Sequence, residues 1–232
     1  MNLDRITPNI YRWSEPHGKG TLRYDWHSYF LRIAPAQIVV VDPLPATEGV
    51  LREIELIGVP RHIVLTCNWH TRAAQQFREL WGCRVLLNER GLIQKEIEVD
   101  ETFHAGDRLW DSLGLISMAA LSWPEEVAIV FEDVLLVLDA LVGARPDLAI
   151  EDGEIGIHPN RFSMGHIGDD LAAKTAILNL ANTRMNEIHF GHGSPVLTRP
   201  DLALKRLAEN PRYWGRDAVT PEPRRQMGPG SG

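Results

Sequence analysis

Cysteine is almost absent. Cys67 and Cys83 are the only two in 232 residues, too few and too far apart in sequence for a CxxC pair or a disulfide framework, and such a chain suits a reducing cytoplasm. Long apolar runs are also missing: no stretch approaches the roughly eighteen residues of a membrane span. The opening "MNLDRITPNIYRW" lacks a basic segment followed by an apolar one, so neither a span nor a secretory leader is expected. Positive charge is in deficit, with 24 Lys and Arg against 31 Asp and Glu and a net charge of −7. The basic residues are scattered, which argues against a nucleic-acid partner. No GxSxG occurs either, since Ser194 in "GHGSPV" stands outside that pattern, so a nucleophilic serine on an elbow is not expected. Repeats of fixed period and low-complexity tracts are lacking too.

What is present is an ordinary globular composition, 44% hydrophobic and 24% charged. It is enough for one large core. Residues 1–217 are expected to form a single domain, with 218–232 a polar tail too poor in apolar residues to fold alone. Strand and helix signals alternate in short units. "IVVVD" (Ile38 to Asp42) is a β-branched run ending in an acid, and Pro45 to Gly58 has helical spacing closed by glycine. "HIVLT" (His62 to Thr66) is a second buried-strand pattern, after which Ala73, Ala74, Phe77, Leu80 and Trp81 share one helical face from Thr71 until Gly82. "CRVLLNE" is another strand. Between Leu113 and Leu141 lie three short apolar runs, the last two meeting at Glu132-Asp133 as a hairpin. An irregular segment (Val142 to Asp169), a helix over roughly Asp170 to Asn182, a strand in "NEIHFGHGSPVL" and a closing helix in "RPDLALKRLAEN" complete the chain.

Three of these strand ends carry residues that bind metals: His70 after "HIVLT", Asp139 ending "VLLVLD", and His192 after "NEIHF". Two imidazoles and one carboxylate are a minimum set for a catalytic divalent ion such as zinc, iron or manganese. Each also has a plainer reading, since an Asp at a strand end often caps a turn and a loop His often faces solvent.

Taken in order, these residues resemble the metallo-β-lactamase fold superfamily over roughly Asn9 to Leu197. "HSYFLRIAPAQIVVVDP" is similar to the family's opening strands, with Asp42 in the place of its structural acid. The THxHxDH signature falls on "LTCNWHTRAAQQF", the later "GD" on Leu138-Asp139, and the final histidine on "HFGHGSP" at His192. The resemblance implies an α/β (α+β) chain folded as a four-layer αββα sandwich. It also implies a small-molecule substrate or ligand, and leaves the oligomeric state open, a dimer included.

The signature itself is degenerate. With Phe77 kept in the family's helix register, a deletion puts Trp69-His70 in the place of the Asp-His pair. His70 then serves the second metal, Trp69 replaces that metal's aspartate, and Thr66 and Cys67 lie near the two lost first-site histidines. "LSWPEEVA" places Ser122 where the third would be. This register abolishes the first metal site and retains His70, Asp139 and His192 of the second. The register without a deletion puts Cys67, Trp69 and Arg72 at the motif positions and retains none. Cys67 is either a soft ligand or a small residue ending a buried strand. Trp26, Trp69 and Trp123, with Cys67, are read as walls of a substrate pocket, or the tryptophans as core. His17, His27, His158 and His166, in segments read as irregular, either reach the same mouth or serve structurally.

Two functions follow. One is a hydrolase-like member with a single divalent ion held by His70, Asp139 and His192, with Asp139 or a group of the substrate orienting the attacking water, acting on an ester, thioester or lactone. The other is a metal-free relative that keeps the pocket as a binding or interaction module. The long insertions of nuclease and flavo-diiron relatives are lacking.

Overall fold

The computed structural model describes residues 2–17, 24–94, 97–158, 169–210 and 214. Strands β1 (Asp4–Arg5), β2 (Ile10–His17), β3 (Tyr24–Ala34), β4 (Gln37–Val41), β5 (His62–Leu65), β6 (Arg84–Asn88) and β7 (Glu101–Phe103) form one sheet in chain order. Its first half is antiparallel and its second half, from β4 onward, parallel. The parallel half needs crossovers. Helices α1 (Glu48–Ile57) and α2 (Ala74–Trp81) supply two of them. A second sheet contains β8 (Arg108–Leu109), β9 (Leu113–Ser117), β10 (Val127–Phe131) and β11 (Val134–Val137), and β12 (Leu141–Val142) pairs with β13 (Gly156–Ile157) in a small ribbon. Strand β14 (Glu187–Phe190) closes the second sheet beside β11, in the order β14-β11-β10-β9-β8. Helices α3 (Asp170–Ala181) and α4 (Pro200–Glu209) complete the described elements.

Period-two alternation sorts these residues into layers. Val39 and Val41 on β4 point between the sheets with Val134 and Leu136 of β11, while Ile38 and Val40 point outward against Val50 and Ile54 of α1 and Phe77 of α2. Leu135 and Val137, the other face of β11, pack on Ala173, Ile177 and Leu180 of α3 and Leu204 and Leu207 of α4. Helix, sheet, sheet and helix therefore stack as an αββα sandwich, as expected. The hairpin at Glu132-Asp133 is present, with Glu132 at φ 55°.

Three local expectations need correction. The second helix begins at Ala74, not Thr71, because a single 3₁₀ turn (Asn68–His70) intervenes. Its buried stripe is also narrower than the periodicity suggested, for Leu80 is 48% exposed, as suits a helix that covers its sheet on one side only. His17 and His27 lie in β2 and β3, not in irregular segments. The polar tail and His166 fall outside the described residues. Among the described residues no helix is long and apolar enough to cross a membrane.

Candidate metal centre

Four chain segments meet at one end of the two sheets. Asp42, just after β4, adopts φ 48° and turns its carboxylate under the end of β5. There it accepts a 2.8 Å hydrogen bond from the Thr66 amide and another from the Thr66 hydroxyl. The 3₁₀ turn folds the chain back so that His70 Nδ1 reaches Asp42 Oδ2 at 2.7 Å. All of these groups are buried.

The opposite ring nitrogen, His70 Nε2, lies 3.2 Å from Asp139 Oδ2 but makes no hydrogen bond of acceptable geometry. His192 Nε2 meets the other carboxylate oxygen, Asp139 Oδ1, at 2.8 Å. Asp139 thus sits between two imidazoles. Cys67 completes the cluster: one donor atom each from Cys67, His70 and Asp139 all lie within 4.8 Å of one another.

Electrostatics follow from this burial. Burial by itself disfavours a charged His70, but Cys67 and the carboxylates of Asp42 and Asp139 reverse the effect and hold its pKa well above the usual imidazole value. Burial would raise Asp139, yet His70 and His192 hold it well below the usual carboxylate range. Burial pushes the Cys67 thiol up to about 12, partly opposed by His70. His192 is lowered by burial, partly offset by its bond to Asp139.

Sequence reasoning missed Glu126. It is fully buried, and its Oε1 accepts from the Asp139 and Ala140 amides at 3.1 and 2.7 Å, holding the turn that aims Asp139. Burial, then the Asp139 charge, push its pKa up to about 8. A signal was available in the acid that immediately precedes the apolar run "VAIVF". Ser122 is buried nearby and its hydroxyl favours the charged form of Glu126.

The "GHG" setting of His192 has a steric cause. A Cβ on Gly191 would stand 2.2 Å from the Leu138 carbonyl oxygen, and Gly193 adopts φ 85°. Bare backbone at Gly191 lets β14's end approach the residue before Asp139. Gly191→Ala should therefore cost about 1–3 kcal/mol or more by overpacking, read by urea denaturation; a variant as stable as the wild type would contradict this account.

The remaining candidates separate. Trp69 is 49% exposed and its ring lies 5.6 Å from that of Trp123, so Trp69 is not a core residue. Trp26 is half-buried, stacks on His17 at 3.8 Å and stands edge-to-face to His192 at 6.1 Å. Cys67 is fully buried, and so lies among the donors instead of on an open pocket wall. His158 stacks on His192 at 5.2 Å, whereas His27 bonds Ser14 on the neighbouring strand.

The donor set of thiol, imidazole and carboxylate suits a borderline-soft divalent ion, and zinc accepts all three ligand types. The His70 nitrogen turned to the cluster has no hydrogen-bond partner among the described residues, while its twin is pinned by Asp42, the usual carboxylate support behind a metal-binding histidine. The residues present therefore fit one such ion.

This chain belongs to the metallo-β-lactamase superfamily, whose sequence pattern matches residues 2–210. Its fold is similar to that of a metallo-β-lactamase from Pontibacter korlensis, with a TM-score of 0.67 over 90% of this chain and 99% of that one at 12% identity. It is also similar to a metallo-β-lactamase from Erythrobacter litoralis, with TM-score 0.63, 10% identity and 89% and 95% of the two chains covered. A flavo-diiron protein from Thermotoga maritima shares the fold at TM-score 0.61 and 14% identity, but the match covers 89% of this chain and 61% of that one. No curated protein matches the sequence.

Proposed function

We propose that this chain is a divergent, hydrolase-like member of its superfamily that uses one divalent ion against a small-molecule ester, thioester or lactone. The observation that carries the reading is the buried cluster of Cys67, His70 and Asp139 donors within 4.8 Å, with His192 on the far carboxylate oxygen. These four residues would hold the ion. Bound there, it would lower the pKa of a water toward neutrality and polarise a carbonyl oxygen.

The chain's own residues do the rest. Asp42 accepts a hydrogen bond from His70 Nδ1 and so leaves Nε2 as the ring nitrogen turned to the cluster, the one that would give up its proton when an ion binds. Glu126 holds the two amides that set the position of Asp139. Asp139 is the one acid of the cluster able to orient a water, since Trp69 has no group that accepts a proton. The free, buried thiols favour a reducing compartment such as the cytoplasm, and the net negative charge favours small molecules over nucleic acid.

A second reading, a metal-free binding module, draws on one observation: Asp139 is already partnered without an ion, by a 2.8 Å hydrogen bond from His192 and by the His70 ring at 3.2 Å. Elemental analysis of protein purified without chelator separates the two. About one ion per chain supports the hydrolase reading, and none supports the module.

Trp69→Asp probes the same centre. Because Trp69 is half exposed, its loss should cost far less than the roughly 3–5 kcal/mol of a buried tryptophan. The new carboxylate beside His70 should tighten zinc or manganese by at least about tenfold, roughly 1.4 kcal/mol. Metal titration with thermal melts alongside checks both, and unchanged affinity would sever Trp69 from the site.

A further inference from the structure

We propose that Arg72 and Trp26 form an anion-recognition corner at this centre, so that the molecule it takes carries a carboxylate or a phosphate. The corner belongs to the site read above as hydrolytic, and depends on that reading only for what then happens to the ligand.

Arg72 follows the turn that carries His70 and precedes α2. It is half-buried, and its guanidinium carbon stands 4.7 Å from the centre of the Trp26 ring. Among the described residues its guanidinium has neither an ion-pair partner nor a side-chain hydrogen bond. The other arginines of this region differ in having carboxylate partners: the fully buried Arg145 is clasped by Asp147 at 2.7 and 3.1 Å, and Arg12 pairs with Asp4 at 3.3 Å, although one nitrogen of each is buried without a partner among the described residues. A half-buried guanidinium gives up part of its hydration, and its five N–H donors are left to water or to a ligand. An aromatic face returns part of that loss but satisfies no donor.

Trp26 sharpens the point, because its indole N–H is itself buried and has no partner among the described residues. Its backbone forms a β-bridge with His192, and its ring stands edge-to-face to the His192 imidazole. The positive charge of Arg72 is felt by both His70 and His192, disfavouring protonation of each. A cation with an open planar fork, an unpaired N–H and an aromatic platform therefore converge beside the candidate centre. The fork geometry matches a carboxylate or phosphate better than a neutral acceptor. Such a cation is also needed, because Asp42 and Asp139 would otherwise repel an anionic ligand.

The test uses benzoate, phenylphosphonate and neutral benzamide as probes, titrated calorimetrically into the purified full-length protein and into a chelator-treated sample. Either anion should bind at least about tenfold more tightly than benzamide in both samples, and the tighter of the two identifies the group recognised. Arg72→Gln should remove the preference, while Arg72→Lys, which keeps the charge without the fork, should retain part of it. Equal binding of all three probes by the wild type would overturn the proposal. So would a preference that survives Arg72→Gln, or one that vanishes on chelation, since an ion would then be holding the anion. The wild-type measurements decide the matter even where the glutamine variant does not fold. Metal content, measured on the same samples, judges the one-ion reading separately: a metal-free protein that still prefers anions keeps Arg72 in this role.

Discussion

Asp42→Ala should lower the stability of the protein by about 3–5 kcal/mol, the cost of leaving one partner of a buried pair alone. Asp42 is fully buried and takes the Thr66 amide, the Thr66 hydroxyl and His70 Nδ1 at once. Alanine would strand all three and place a Cβ-bearing apolar residue at φ 48°, a conformation that aspartate and asparagine tolerate better. For a domain of this size the melting temperature should fall by roughly 6–20 °C. Asp42→Asn separates structure from function. It keeps an acceptor for Thr66 and the left-handed backbone, and should be much the milder in a melt. Its amide, however, offers a proton to His70 Nδ1, which drives the ring proton to Nε2 and blocks the nitrogen that faces Asp139. Loss of such a supporting carboxylate typically weakens metal binding about 10–100-fold. An alanine variant within about 1 kcal/mol of wild type in urea, or an asparagine variant with undiminished zinc affinity, would show that Asp42 does not organise this centre.

Acid should destabilise the protein through His27, by about 3 kcal/mol between pH 7 and pH 4. Burial first, then the Arg12 charge and His192, lower its pKa from the ordinary 6.5 to about 3, against a smaller raising effect from the Gly193 backbone. The ring is 6% exposed and bonds Ser14 Oγ at 2.7 Å. Between about 6.5 and 3 the unfolded chain binds a proton at this residue that the folded chain refuses. The stabilisation is therefore complete above 6.5 and is lost as pH falls toward 3. Other groups titrate in the same range, Glu126 with the opposite sign because its folded value is raised, so the comparison must be differential. His27→Gln removes one titration alone. Its stability relative to the wild type should improve by about 3 kcal/mol from pH 7 to pH 4 in urea titrations. Parallel pH profiles for the two proteins would mean that His27 titrates normally in the folded state.

Taken alone, the sequence determined the layers and the ends of the strands. Val39 and Val41 alternate with Ile38 and Val40, and Val134 and Leu136 with Leu135 and Val137, because side chains on a strand point to opposite faces every second residue. That rule is local, so the two sheets and their helical covers could be read without coordinates. Asp42, His70, Asp139 and His192 were legible for a related reason: each follows an apolar run, where a buried strand gives way to a loop. The tertiary structure alone decided which of them touch and what else joins them. It set His70, instead of Trp69 or Arg72, against Asp139, because one 3₁₀ turn between β5 and α2 rotates the chain in a way that spacing could not resolve. It also brought Cys67 within reach of Asp139, tied Glu126 to the Asp139 amide and laid Arg72 over Trp26. Each of the last two contacts stays at the end of a single sheet, but the contact of Cys67 with Asp139 joins the two sheets and exists only because they stack with their ends in line. Nothing in the periodicity of either partner encodes that alignment, which is fixed by the packing of the layer between the sheets.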